Sequence, residues 1–212
     1  MRYYPIFLDL RDRPVVVIGG GDVARRKVEG LLDAGATVTV VSPYLHPNLV
    51  ALHGQGRIIH IPRHYQPGDL KGYALAFVAT DDPSVNASVA AEGRDSSVWV
   101  NAVDDPPNCD FIMPSIIHRG ELTVAISSGG ASPAATRKIR EELEEFLGAE
   151  YPLLLEVASE VRAELRQRGV SSDPETWNHA LGGEFRLLLR DGKRDEAKEI
   201  LLQTLLEPAK TK

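Results

Sequence analysis

The sequence predicts an α/β fold, a doubly wound parallel sheet followed by a small hairpin-containing module and a helical C-terminal region. Three observations carry this reading. Val15-Val16-Val17-Ile18 is an unbroken β-branched run bounded by Pro14 and Gly19, the pattern of a strand buried on both faces. Gly19-Gly20-Gly21 joins that run to a segment whose apolar residues recur at helical spacing. Short apolar runs and helical segments then alternate through the first half of the chain, as parallel strands with crossover helices require.

Taken in order, the first helix presents Val23, Val28, Leu31 and Leu32 on one side and stops at Ala34-Gly35, where glycine accepts the left-handed conformation of a helix end. Val38-Thr39-Val40-Val41 begins a second strand, Ile58 to Ile61 a third, and Leu75 to Ala79 a fourth. Asp82-Pro83 reads as the N-cap and first residue of the next helix. Val98-Trp99-Val100 is then the fifth strand, and the sheet domain is expected over residues 1–113.

Past Pro114 the pattern changes. Ser115 to His118 and Leu122 to Ile126 flank an Arg119-Gly120 turn and read as a hairpin. Ser132-Pro133 then opens a helix whose Ile139, Leu143 and Phe146-Leu147 form an apolar stripe beside Glu141, Glu142, Glu144 and Glu145. Residues 114–147 are assigned to this module, and 148–212 to a helical domain. Its markers are Val157, Val161 and Leu165, an Asp173-Pro174 helix start, and helices around Phe185 to Leu189 and Ile200 to Leu206 separated by Asp191-Gly192. An apolar stripe short of partners in its own chain predicts a homodimer, with 114–147 as the dimerisation module.

Composition bounds the function. The 212 residues suit one generous domain with an appendage. With 24 basic against 30 acidic side chains, the net charge of −6 argues against a general nucleic-acid or anionic-membrane binder. The single cysteine, Cys109, forms no internal disulfide, which fits a reducing compartment, and cytoplasm is expected. A charge at Asp9 interrupts the N-terminal apolar residues, so a cleaved signal is not expected, and the apolar runs are strand-sized rather than the ~20 residues a membrane-spanning helix needs.

Gly19-Gly20-Gly21-Asp22-Val23-Ala24 matches G-x-G-x-x-A between a strand and a helix, within a βαβ unit of about 30 residues, the Rossmann-like setting in which the pattern binds a dinucleotide. Gly19 gives the tight turn, Gly21 the close approach to pyrophosphate, and Ala24 the packing of helix on strand. The amides of Asp22 and Val23 point at the pyrophosphate from the positive end of the helix, although Asp22 also suits a plain N-cap. The second strand ends in Ser42-Pro43-Tyr44 instead of the usual ribose-binding acid, and no arginine follows to hold a 2′-phosphate. NAD is favoured over NADP, with Ser42 or the backbone of Pro43 and Tyr44 at the ribose. Thr80, at the carboxyl end of the fourth strand, lies on the ligand edge of such sheets.

Asn101-Ala102-Val103-Asp104-Asp105-Pro106-Pro107 leaves the fifth strand on that same edge. Asp104 is the candidate catalytic carboxylate, able to accept a proton as hydride leaves or to orient a pyrrole-like substrate; an Asx turn before the prolines is the plain structural alternative. Ser127, Ser128, Gly129 and Gly130 run from a strand into a helix start and are a candidate anion-binding nest for substrate, with Arg137, Lys138 and Arg140 downstream. The six histidines show no paired metal spacing, so no metal site is assigned.

Together, Val17 to Lys27, Ala79-Thr80-Asp81-Asp82, Asn101 to Asp104, Phe111-Ile112-Met113-Pro114-Ser115 and Ser127 to Pro133 resemble, in order and separation, the precorrin-2 dehydrogenase and sirohydrochlorin ferrochelatase family of siroheme synthesis. The resemblance spans nearly the whole chain. It implies NAD-dependent oxidation of precorrin-2 to sirohydrochlorin, followed in some members by insertion of Fe2+, and an interlocked homodimer. It also implies that Asp104 serves both activities and that the glycine-rich turn and Ser42-Pro43 hold the cofactor. Ala102 departs from a bulkier valine frequent in the family, and Asp105 adds a second acid, which leaves open which carboxylate acts. The trifunctional relatives carry a further methyltransferase domain, so the resemblance is to the stand-alone form. A nucleotide-sensing regulatory module, like those of potassium transport systems, is the competing reading; such modules usually keep an acid where this chain has Ser42.

Overall fold

The computed structural model describes residues 3–206. It divides into two compact units, one ending at Ile112 and one beginning at Met113. The first unit holds β1 (Pro14–Ile18), α1 (Asp22–Asp33), β2 (Thr37–Val41), α2 (Pro47–Gly54), β3 (Ile59–Ile61), β4 (Leu75–Val78), α3 (Pro83–Ser96) and β5 (Trp99–Ala102), with a short 3-10 turn at Pro106–Asn108. All five strands are parallel, in the order β3-β2-β1-β4-β5.

The unbroken apolar run of β1 is explained by its place. As the central strand it pairs with β2 (Val15 opposite Val38) and β4 (Val15 opposite Leu75), so both of its faces must be apolar. Val15 and Val17 enter a core with Ala24, Val28 and Leu31 of α1 and Leu49 of α2. Val16 and Ile18 enter the opposite core with Val89 of α3. Each such buried side chain contributes roughly 1.5–3 kcal/mol. Strand order reverses between β1 and β4, which leaves a crevice at their carboxyl ends, the place where open α/β sheets take ligands.

The helix boundaries follow from local chemistry. Gly35, at φ +76°, ends α1 while Gly35 N donates to Leu32 O (3.0 Å) and Ala36 N to Leu31 O (3.0 Å). Asp82 caps α3 by accepting from Ser84 N at 2.8 Å, with Pro83 at the first position. The helix α2 is an addition to the sequence reading. His46 Nδ1 accepts from Asn48 N (3.2 Å) and Pro47 starts the helix, but Leu49 is its only fully buried residue, so it leaves no apolar periodicity to read.

The second unit begins with the expected hairpin, β6 (Ser115–Arg119) and β7 (Leu122–Ile126), antiparallel with Ser115 opposite Ile126. It continues through α4 (Pro133–Phe146), α5 (Glu150–Gln167), α6 (Pro174–Ala180), α7 (Gly183–Arg190) and α8 (Arg194–Leu206). Ser132 caps α4 through Ala135 N (3.2 Å), and Asp173 caps α6 through Glu175 N (2.9 Å) and Thr176 N (3.0 Å). Val157, Val161 and Leu165 of α5 pack with Phe185, Leu189, Ala197, Leu201 and Leu205 into one core. Hairpin, α4 and the later helices thus stand in one unit, without a division at residue 147. The α4 stripe stays uncovered: Ile139 is 46% exposed and Phe146 69%. Among the described residues no helix is long and apolar enough to cross a membrane.

Candidate functional site

The turn after β1 is built to exclude side chains. Gly19 has φ +112°, and a Cβ there would lie 2.2 Å from Ala79 O, at the end of β4. Gly20 is equally confined, since its Cβ would meet Tyr44 O at 2.0 Å and Ser42 Oγ at 2.7 Å. Those two glycines let the turn pass between the β2 and β4 ends. Gly21 differs: nothing lies within 4 Å of its would-be Cβ. It is the N-cap of α1 and offers no capping side chain, so the first-turn amides of α1 are left for a ligand. Asp22 does not cap them, because its carboxylate is drawn to Arg25 Nε (2.9 Å) and Arg26 Nε (3.5 Å). The Arg25 hydrogen bond holds that carboxyl below the usual carboxylate range. Val23 is half-buried and Ala24 fully buried, so Ala24 serves the cradle by packing α1 onto the sheet rather than by touching a ligand.

One rim is the β2 end. Ser42 is buried, and its hydroxyl donates to Tyr44 O (2.7 Å), shaping the turn that carries Pro43 and the exposed Tyr44. The Ser42 carbonyl lies 2.8 Å from His60 Nε2. A carbonyl only accepts, so that nitrogen carries the proton. The other rim is the β4 end, where Thr80 Oγ1 donates to the buried Asn86 Oδ1 (3.3 Å) and accepts from Asp82 N (3.2 Å). Between the rims a cleft of about 600 Å³ is lined by residues that include Gly19, Gly20, Ser42, Pro43 and Thr80. The structure therefore brings four of the expected cofactor residues together with Gly20. It adds His64 and Tyr65, on a loop that no sequence pattern marked. That loop is pinned by Leu70 N donating to Glu92 Oε1 (2.8 Å) and by a Tyr65 to Glu92 hydrogen bond; burial and Glu92 push the Tyr65 phenol up.

Asp104 stands in the turn after β5, exposed, at φ +59°, a left-handed conformation that aspartate accepts more readily than most side chains. The following segment is laced back onto β5: Asp110 Oδ2 accepts from Val100 N (2.8 Å), Asn101 Nδ2 donates to Phe111 O (2.8 Å), and the Cys109 thiol donates to Ala102 O (3.0 Å). Burial pushes that thiol up. The neighbouring Asp105 is occupied, since its Oδ2 accepts from Asn108 Nδ2 at 2.8 Å. Of the two adjacent acids, Asp104 is the one whose carboxylate takes no part in a hydrogen bond or ion pair among the described residues.

In the second unit, the oxygens of Ser127 and Ser128 accept from amides within and just after the Ser127 to Gly130 loop. Gly129 N donates to Ser127 Oγ (3.0 Å), Ala131 N to Ser128 O (3.2 Å) and Ser132 N to Ser128 Oγ (3.1 Å). Ser128 Oγ and the buried Thr136 hydroxyl are 3.0 Å apart. Gly129 and Gly130 take φ +64° and +91°, and the Gly130 amide has no part in this set. The amides of Gly129, Ala131 and Ser132 are thus taken by the loop's own oxygens, and the loop's exposed serine hydroxyls are part of its outward chemistry. No group of three or more metal-ligating side chains occurs among the described residues.

A strand-turn-helix cradle without side chains, uncapped helix amides and a cleft at the strand-order reversal fit a dinucleotide. Comparison with known proteins agrees. Residues 6–115 match the family described as "Putative NAD(P)-binding", and residues 119–145 match "Sirohaem biosynthesis protein central". A siroheme synthase of Methylobacillus flagellatus is 41% identical over 207 residues, 97% of this chain and 44% of the relative. Siroheme synthase 1 of Serratia proteamaculans is 42% identical with the same coverage. The chain thus spans less than half the length of these curated relatives. A solved structure described as SirC, precorrin-2 dehydrogenase, superposes with a TM-score of 0.76 at 27% identity, covering 96% of this chain and 98% of that one.

Proposed function

This chain belongs to the NAD(P)-binding family and is a homologue of the siroheme synthases, and on that premise we propose that it oxidises precorrin-2 to sirohydrochlorin with NAD. The observation that carries the reading is the likeness to a precorrin-2 dehydrogenase over almost the full length of both chains. The sirohaem central segment at residues 119–145 supports it against a nucleotide-sensing module, which has no use for such a segment.

Bound NAD supplies the hydride acceptor. The amides of Asp22 and Val23 hold the pyrophosphate, Gly21 leaves room for its approach, and Pro43 and Tyr44 meet the ribose with Ser42 shaping their turn. Thr80 closes the other rim. Asp104 accepts the proton released as hydride leaves the macrocycle, so one precorrin-2 and one NAD give one sirohydrochlorin, one NADH and one proton. The hydroxyls of Ser127 and Ser128 and the turn at Gly129 and Gly130 contact the carboxylate arms of the substrate. Residues 114–147 pair two copies through the uncovered α4 stripe, and the protein works in the cytoplasm. Insertion of Fe2+ into sirohydrochlorin is the second activity of the proposal.

The test is an anaerobic assay with precorrin-2 and NAD that follows nicotinamide reduction and the macrocycle spectrum together, then adds Fe2+. NADH and sirohydrochlorin should appear in equal amounts, with a further enzyme-dependent spectral change on iron addition. Asp104→Asn should lower turnover by a factor of about 100 to 10,000 while leaving NAD affinity intact. NAD binding without turnover in the unmodified protein would put the sensing module ahead of the enzyme.

A further inference from the structure

The connection from β3 to β4 contains no helix or strand, yet side chains fix it at several points. Arg63 donates to both oxygens of Asp69, at 2.7 and 2.6 Å. The Tyr65 hydroxyl donates to Glu92 Oε2, and Leu70 N donates to the other oxygen of the same carboxylate at 2.8 Å. Glu92 stands on α3, is half-buried, and makes no ion pair among the described residues. One carboxylate thus grips the loop at positions 65 and 70. Segments at a ligand edge are commonly mobile, and this one is held still at the cost of desolvating an acid. What the acid holds still is an aromatic ring.

That ring stands between two environments. It packs against the core that contains Ile18, Val41 and Leu70, and it also lines the cleft between the β2 and β4 ends. Core packing alone would be served by phenylalanine, with no carboxylate to bury beside it. With the pyrophosphate at the α1 amides and the adenosine ribose at the β2 end, the cleft between the two strand ends is the space left for the base. The lining suits a flat, uncharged ring. Pro43, Pro83 and Val85 give it apolar walls, and its carboxylates are Asp81 and Asp82, with no lysine or arginine among the described lining residues to favour a phosphate.

We infer that Tyr65 is the stacking wall for the adenine of the cofactor, and that Glu92 is the positioning residue that fixes its ring before the cofactor arrives. The inference rests on the NAD reading above. Glu92 is not among the residues that line the cleft, so it acts through Tyr65. An aromatic side chain already locked in place loses little freedom when a base stacks on it, and that saving appears as affinity.

The experiment measures binding of ADP-ribose and NAD to the full-length protein by calorimetry, together with KM for NAD and kcat, in Tyr65→Leu, Tyr65→Phe and Glu92→Gln. Tyr65→Leu removes the wall, so affinity for both nucleotides should fall by the same factor, about tenfold or more. Its KM for NAD should rise in parallel while kcat at saturating NAD stays within about twofold, a split that general loosening of the fold does not produce. Tyr65→Phe and Glu92→Gln keep the ring but free it, and each should lose about threefold. Added to Tyr65→Leu, Glu92→Gln should cost no further affinity. Unchanged ADP-ribose affinity in Tyr65→Leu overturns the inference, as does a loss in Tyr65→Phe as large as that in Tyr65→Leu, or a Glu92→Gln loss that persists beside Tyr65→Leu. Failure of the unmodified protein to bind NAD removes the cofactor reading and this inference with it, whereas NAD binding that none of these variants weakens removes the inference alone.

Discussion

The Gly19 to Gly21 turn and the Ser127 to Gly130 turn both lead into helices, and they spend their backbone donors in opposite ways. The Gly19 to Gly21 turn contributes no side chain, its helix has no capping hydroxyl, and the one acid nearby, Asp22, is drawn off by Arg25. The Ser127 to Gly130 turn has serines on both sides, which take up the amides of Gly129 and Ser132, and Ser132 caps the helix that follows. An anion site at a helix start is therefore recognised by what is missing from it. Glycine content alone does not separate a cradle for pyrophosphate from a turn that satisfies itself.

The largest expected effect breaks the first turn from within. Gly20→Ala places a methyl 2.0 Å from Tyr44 O, which is backbone and cannot swing away. The β2 end and the glycine turn must separate, at a cost of about 3 kcal/mol, read as a lower urea midpoint, together with loss of NAD binding. Gly21→Ala is the sharper comparison, because its methyl meets no protein atom within 4 Å. Stability should stay within about 0.5 kcal/mol of the parent, while NAD affinity measured by calorimetry falls about tenfold or more, a penalty of about 1.4 kcal/mol. Equal losses of stability in the two variants would mean that Gly21 is a packing residue and that the open side of the turn faces no ligand.

For the second turn the order of effects reverses. Ser128→Ala removes the oxygen that accepts from Ser132 N and bonds with the buried Thr136 hydroxyl. Folding should weaken by about 1 kcal/mol, and NAD affinity should not move. A rise in KM for precorrin-2 with unchanged kcat would place the loop at the substrate's carboxylate arms; an unchanged KM would leave it a helix-starting turn alone.

What the sequence made legible follows the same division. The α1 cradle was readable because every one of its requirements is local: a strand, three glycines and an apolar helical face. The caps at Asp82, Ser132 and Asp173 were readable for the same reason, since each side chain bonds an amide two or three residues ahead. The confinement of Gly20 was not, because the atom it meets, Tyr44 O, belongs to the end of another strand. His64 and Tyr65 reach the cleft through a loop anchored to Glu92 on α3, a contact that leaves no periodicity. The α4 stripe was legible as a pattern, yet its exposed Phe146 shows that a pattern records an apolar face without recording what covers it. Asp104 was named from the sequence, but the bond to Asn108 that occupies the neighbouring Asp105 carboxylate was not legible there.

The smallest expected effect concerns the loop that brings His64 and Tyr65 to the cleft, and it distinguishes the two regions by pH. Arg63 grips Asp69 through two hydrogen bonds of 2.7 and 2.6 Å, and Gln66 N adds a third at 2.8 Å. The Arg63 guanidinium is the main cause that holds the Asp69 carboxyl below its ordinary value of 3.8. A carboxyl depressed on folding stabilises the native state above its unfolded pKa, and that contribution disappears as pH falls through the lower folded value. The stabilisation is thus complete above about pH 4 and lost below it, and with Arg63 partly open to solvent it amounts to about 1 kcal/mol at most. Asp69→Asn should lower stability by that amount at pH 6, and the difference from the parent should shrink toward zero as the pH is taken down to about 2, measured by urea unfolding at each pH. Amide exchange in the Ser127 to Gly130 turn, which contains no ionisable side chain, should be the same in both proteins. A difference that persists undiminished in acid would mean that Asp69 acts through the Gln66 turn geometry rather than through its charge.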